Sequence, residues 1–332
     1  MPVSSTMEVK ETLWKKCLEK IEEQILPENY TTWFSPTYPR AFDDGLMTIA
    51  VPNQFYRKCL IENYRDLIET TLKSVTEKPI IVDFCIESEI FFQMERGKDY
   101  WKTSNFVVNY EGKVFKNPIG PLVENLDDLL FPDREMMYKA DPGLRENGRK
   151  MFFGSRGCPY LCTYCFNAEY NKMTKDQGDI MRHRSPENLI EEVLQVKKHY
   201  PLNTVWIDDD TFLIKPMGWI TKFCDLLKMK VGLPFDINVR PDLVKDEVIS
   251  DMKEGGLNSI WMGVECGDEQ IAGKILKRHT PNTRIHRAAD VLRSHKVKFV
   301  TQNMMGLPVE QAFETDLKTL DFNIALGPTY AW

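Results

Sequence analysis

From residue 150 onward, short β-rich runs alternate with amphipathic helical stretches, and this alternation constrains the fold of the 332-residue chain more than any other feature. The runs are KMFFG, TVWIDD, FDINV, SIWMGVE, VKFVTQNMMG and the terminal TYAW. They are almost continuously apolar, as strands covered on both faces must be. Helical segments such as SPENLIEEVLQVKKHY separate them, with Ser185 placed to cap that helix and Pro186 in its first turn. Such a pattern predicts an α/β fold, with a parallel sheet clothed in helices. Six units predict an open or partial (βα)6 TIM-like barrel, with its chemistry where strands end and loops begin.

The first part of the chain follows a different plan. Residues 12–25, TLWKKCLEKIEEQI, put Leu13, Trp14, Cys17, Leu18, Ile21 and Ile25 on one helical face, with Thr12 as the expected N-cap. A second short helix is expected around Tyr30, Thr32 and Trp33. The Asp43-Asp44-Gly45 turn leads into a strand, LMTIAVP; a helical region, NQFYRKCLIENYRDLIETTLKSVT, and a closing strand, PIIVDFCIE, follow. This predicts a small α+β (KH-like) domain over residues 1–88, a size that can fold alone. The segments LWKKCLEKIEEQILPENYTTWFSPTYP and LMTIAVPNQFYRKCLIENYRDLIETTLKSVT, with Trp14, Trp33 and Val51-Pro52-Asn53-Gln54-Phe55 in order, resemble the N-terminal domain of the replication initiator DnaA. The resemblance implies docking to a protein partner through residues 1–88. The initiator's ATPase and DNA-reading domains do not follow, so origin recognition is not expected.

Residues 89–149 read as a connector, with an extended piece turning at Glu111-Gly112 and a Pro- and Asp-rich stretch that discourages long elements. It is expected to wrap the barrel and bury Leu126, Leu129, Leu130 and Phe131. The barrel domain is assigned to residues 150–332. A net charge of −6 argues against direct nucleic-acid binding, which calls for a basic stripe. No run is long and apolar enough for a membrane span, and the N-terminus lacks a signal-peptide core, so a cytoplasmic protein is expected. In that compartment the eight cysteines should be reduced thiols. Cys17, Cys59, Cys85 and Cys224 are scattered through apolar-periodic segments and read as packing residues.

Cys158, Cys162 and Cys165, in GSRGCPYLCTYCFN, are different. Spacings of four and three would place them on one helical face, but Gly157 and Pro159 point to a loop leaving the first barrel strand. A disulfide would use two of the three. Zinc would want a fourth ligand, and His183 lies eighteen residues on in a basic run. An iron–sulfur cluster with three cysteines leaves one iron open.

C-x3-C-x2-C at the end of the first strand of a βα series, with Tyr164 before the last cysteine, resembles the radical S-adenosylmethionine enzymes. SRGCPYLCTYCFN, RHRSPENLIEEV, WIDDDTF, INVRPDLV, GVECGDEQIAGKILKRHT and MMGLPVE occur in the order of the subfamily that commonly carries a cobalamin domain. The resemblance implies a partial barrel of the radical SAM type, in which Cys158, Cys162 and Cys165 hold a [4Fe–4S] cluster and S-adenosyl-L-methionine chelates its open iron. It further implies cofactor contacts for Tyr164, for Asp209 or Asp210 after the second strand, for Arg240 after the third, and for Glu265 in GVECG. Cys266 stands where that family has serine, which weakens the polar contact expected there. Met304, Met305 and Gly306 fall where the fifth strand would pass the adenine, with plain packing an equal reading. His199, His279, His286 and His295 lack a paired-carboxylate pattern and are not taken as acid–base catalysts; no catalytic side chain is assigned.

No Asp-x-His-x-x-Gly motif occurs, so cobalamin is not expected from this chain, and an initiator-like domain stands where the cobalamin domain would be. The sequence stops as a sixth strand begins, which reads as a truncated barrel. Two functional readings follow. One is a radical enzyme performing C–H activation or methyl transfer on an unknown small-molecule or macromolecular substrate, served by an electron donor such as flavodoxin or ferredoxin. The other is a non-catalytic fusion or fragment that docks a protein.

Overall fold

The computed structural model describes residues 4–52, 54–87, 94 and 99–332. Residues 1–3, Asn53, residue 88 and the opening of the expected connector (89–93 and 95–98) lie outside the described residues. The chain divides into two compact units, Met1–Gly120 and Pro121–Trp332.

In the first unit, helix α1 (Ser4–Glu22) packs Trp14, Cys17 and Ile21 into a core with Met47, Ile49, Ile68 and Leu72. Thr12 lies within α1 rather than at its N-cap, because the helix extends upstream to Ser4. Pro27–Asn29 runs into a π-helical turn, Tyr30–Phe34, at the expected second helix. Strands β1 (Tyr38–Asp43) and β2 (Leu46–Val51) are antiparallel, and β3 (Ile81–Ile86) joins β2 in parallel. Strand β1 is an addition to the expected elements: its Pro39 and Arg40 weaken the strand signal, and both are tolerated on a sheet edge. Helices α2 (Gln54–Cys59) and α3 (Arg65–Thr76), joined by a π-helical turn, provide the crossover between β2 and β3. The hairpin of β4 (Val107–Tyr110) and β5 (Lys113–Lys116) turns at Glu111-Gly112, both with positive φ, the backbone that a tight hairpin needs.

The second unit is built on six parallel strands. They are β6 (Arg149–Phe152), β9 (Thr204–Ile207), β10 (Phe235–Val239), β11 (Leu257–Glu265), β12 (Lys298–Asn303) and β13 (Tyr330–Ala331), adjacent in chain order. A small antiparallel pair, β7 (Ser155–Arg156) with β8 (Arg182–His183), lies between β6 and β9 in sequence. Ser185 caps the helix Pro186–His199 by accepting from the Asn188 amide at 3.1 Å. That helix buries Leu189, Ile190, Val193 and Val196 on the core with Phe152, Ile207, Phe235 and Phe299. At the strands' N-terminal ends the interior is polar: Arg149 lies 4.1 Å from the Trp206 ring centre, paired with Asp236 at 3.1 Å. Opposite, the strands' C-terminal ends are free to carry a site. In the Pro- and Asp-rich segment Leu126 is buried, whereas Leu129 and Leu130 are 43% and 58% exposed. The expected burial of both later leucines fails because they lie beyond the 3₁₀ turn Leu126–Asp128, where the backbone is already extended at Leu129, and the turn itself points only Leu126 inward.

Candidate active site

The segment after β6 carries the three cysteines. Gly157 has φ +90°, and a Cβ there would lie 1.8 Å from the Ile180 carbonyl oxygen, so only glycine lets the chain pass that backbone. The loop beyond is tied down locally. Thr163 donates from its amide to Leu276 O at 3.1 Å and from its hydroxyl to Ile275 O at 2.6 Å, and Asn171 Nδ2 donates to Cys158 O at 2.8 Å. Cys165 immediately precedes the helix Phe166–Met173, at its N-cap.

Cys158, Cys162 and Cys165 line one cavity of about 150 Å³ together with Tyr164, Asp210, Asn238, Arg240 and Glu265. Arg240 Nη1 donates to Cys162 Sγ at 3.8 Å, and Asn167 Nδ2 to Cys165 Sγ at 3.6 Å. Burial pushes the Cys158 thiol above its ordinary range, so its thiolate needs an ionic partner. Among the described residues, no three Cys, His, Asp or Glu side chains converge as a single-ion site. A cube offers its irons at separate corners, so thiols spread around one cavity fit a cluster better than they fit zinc. The polar walls suit a zwitterionic nucleoside: Asn238 Oδ1 is buried without a hydrogen-bond partner, in the same wall as the Arg240 guanidinium.

The two candidate aspartates part company. Asp210 lines the cavity and accepts from Asn167 Nδ2 at 2.8 Å. Asp209 does not line it. Its carboxylate is ion-paired with Lys215, both side chains fully buried, and accepts the Gly154 and Ser155 amides at 2.7 and 2.9 Å. With its oxygens occupied in this way, Asp209 is a positioning residue, fixing the backbone two to three residues ahead of Gly157.

Arg240 holds its place by donating to Thr280 Oγ1 at 3.0 Å and to Asp242 Oδ1 at 3.1 Å, and it lies 3.7 Å from the Tyr160 ring centre. Glu265 sits at φ +68°, where the β11–β12 register slips between Gly263 and Glu265. This bulge turns its carboxylate into the cavity wall. Burial raises the Glu265 pKa against the pull of Arg278, whose Nη1 is 3.8 Å from it. Arg278 also donates to Gly263 O and, at 3.1 Å, to the Tyr164 hydroxyl.

Arg278, Asn167, Asn238 and Gln302 are cavity residues beyond those expected from the sequence. Three of them lie inside the quoted motifs, but their roles come from contacts such as Arg278 to Tyr164, 114 residues apart. Met304, Met305 and Gly306 stand outside the cavity lining: Met304 packs on the Cys266, Ala272, Leu276 and Leu307 cluster, and Met305 is 64% exposed. Cys266 is buried in that cluster, its thiol donating to Asp268 O at 3.6 Å. Among the described residues, no histidine lines the cavity.

A parallel six-strand sheet that presents three cysteines and a polar wall at its strands' C-terminal ends defines a cofactor-binding partial barrel. The Radical SAM superfamily model matches residues 153–320, and the chain belongs to that family. The family implies a [4Fe–4S] cluster and S-adenosylmethionine. The DnaA N-terminal domain model matches residues 11–74. An uncharacterized methyltransferase of Pyrococcus horikoshii is 25% identical over 247 residues, covering 73% of this chain and 51% of that protein. The chain thus spans about half the length of this relative. The chromosomal replication initiator DnaA of Bacteroides thetaiotaomicron is 37% identical over 60 residues, 18% of this chain and 13% of that one. Among solved structures, the radical S-adenosylmethionine methyltransferase TsrM from Kitasatospora setae aligns with a TM-score of 0.55 at 14% identity, covering 96% of this chain and 64% of that one. The cobalamin-dependent S-adenosylmethionine radical enzyme OxsB gives 0.57 at 15% identity, with coverage of 93% and 45%. At those identities the likeness is one of fold. Among the described residues, no helix is long and apolar enough to cross a membrane.

Proposed function

We propose that the chain is a radical S-adenosylmethionine enzyme that activates a C–H bond or transfers a methyl group. The observation that carries this reading is the shared cavity in which Cys158, Cys162 and Cys165 meet Asn238, Arg240 and Glu265 from successive strand ends. When bound, the cluster and S-adenosylmethionine supply reductive cleavage of the sulfonium to a 5′-deoxyadenosyl radical. The three cysteines would hold the cluster, and the N–H groups of Arg240 and Asn167 donate to the sulfurs of Cys162 and Cys165. Arg240 is placed to pair with the cofactor carboxylate, and Asp210 with its ammonium. Glu265 and Tyr164, cross-linked by Arg278, form one wall of the cavity. Methyl transfer is favoured as the outcome by the descriptions of the Pyrococcus relative and of TsrM. The chain is expected to bring no cobalamin of its own and to draw electrons from a flavodoxin- or ferredoxin-like donor.

A second reading rests on the match of residues 11–74 to the DnaA N-terminal domain: the first unit docks a protein, and the barrel binds a cluster without turnover. Anaerobic reconstitution separates the two. The enzyme reading expects an iron-loaded brown protein that releases 5′-deoxyadenosine under dithionite, and a Cys162→Ala variant that loses both colour and release. A brown wild-type protein without 5′-deoxyadenosine favours docking, and a colourless one removes the cluster from both readings.

A further inference from the structure

A second cavity, of about 550 Å³, shares Cys165, Asn167 and Asp210 with the cysteine cavity. Its walls are largely apolar, with Phe153, Phe166 and Leu129 among them, yet two arginines line it as well. Arg156 and Arg182 are direct cross-strand partners in the β7–β8 pair. Residues so opposed put their side chains on one face a few ångströms apart, and like charges there repel. Among the described residues neither arginine is ion-paired to a carboxylate. Arg182 is 8% exposed, spends Nη1 on Val123 O at 2.8 Å, and keeps a buried Nε with no partner. The cavity's two carboxylates are hydrogen-bonded to amides and not to the arginines: Asp208 accepts from Asn238 Nδ2 at 2.6 Å and Asp210 from Asn167 Nδ2 at 2.8 Å. Two adjacent guanidinium groups that make no ion pair, beside an apolar wall, form a receptor for an anion.

We propose that Arg156 and Arg182 bind the anionic group, a carboxylate or phosphate, of a substrate whose apolar body lies against Phe153 and Phe166. This deepens, and rests on, the reading of the cysteine cavity as the radical site, because the shared residues would bring such a substrate next to it. The anion offsets the repulsion between the paired arginines, while the apolar walls exclude water from the body of the molecule.

The test is calorimetric titration of the full chain, purified anaerobically, with phenylacetate, phenyl phosphate and the neutral phenylacetamide. The two anions are expected to bind more tightly than the amide by about tenfold or more, as one charge-assisted contact provides. A preference for phenyl phosphate over phenylacetate, or the reverse, names the anionic group. Arg156→Gln, at an exposed position, and Arg182→Gln are each expected to abolish the preference for anions over the amide. Arg182→Lys, which keeps the charge should the Gln variant not fold, is expected to retain part of it. Equal binding of anions and amide, no binding of any probe, or an anion preference that survives Arg156→Gln overturns the proposal. Release of 5′-deoxyadenosine is measured without these probes, so a protein that releases it yet shows no anion preference defeats the arginine site and leaves the radical reading standing.

Discussion

Asp209 and Lys215 show how much a single buried pair controls here. Lys215 lies 4.5 Å from the Phe212 ring centre, and burial lowers its pKa despite the neighbouring Asp209 carboxylate. Replacing Lys215 with Met would strand that carboxylate in the interior, at a cost of about 3–5 kcal/mol. The Asp209→Asn, Lys215→Met double variant removes the stranded charge and should recover part of the loss, as read from urea midpoints. The thiols give a pH signature. Burial pushes Cys17 and Cys224 up to about 12 from an ordinary 9.0. Between those values the native state keeps a proton that the unfolded chain releases, so each thiol makes stability fall as pH rises through that window. Cys224→Ala should therefore flatten the decline of the second unit between pH 8 and 10 by roughly 1 kcal/mol. Denaturant melts at the two pH values check this; an unchanged slope would place the titration elsewhere.

At the scale of the element, the decisive feature is the crossing of the cysteine loop and the strand pair β7–β8. Gly157 is pinned against the Ile180 carbonyl, and Glu265 is held in a left-handed backbone by a bulge. Gly157→Ala must push these backbones apart, and it is expected to lower stability by about 1–3 kcal/mol and to reduce bound iron after reconstitution. Iron assay beside a thermal melt checks both, and full iron at wild-type stability would show that the loop can pass Ile180 another way. The sheet's element types are legible in the sequence because apolar runs of strand length alternate with capped helices, as Ser185 and Pro186 illustrate. Strand β1 is not legible: Tyr38–Asp43 holds a proline and two charges, and it becomes a strand because β2 offers it an edge.

At the scale of the whole molecule, the two units have separate cores, one around Trp14, Ile49 and Leu72 and the other around Phe152, Phe223 and Phe235. Leu72→Ala should cost the first unit about 2–5 kcal/mol, leaving the unfolding of the second unit and its iron content unchanged. Calorimetry with an iron assay tests it, and loss of iron in that variant would show the units to be energetically coupled. The α/β character, the six strand-length runs and the trio of cysteines can all be read from residue order, because hydrophobic period and short-range spacing are local properties of a chain. Other relations exist only in the folded molecule: Asp210 faces the cavity while Asp209 faces Lys215, Arg278 bridges Tyr164 and Glu265, and Arg156 opposes Arg182. They depend on how strand ends and loops far apart in sequence come to lie side by side, which packing of the whole sheet sets.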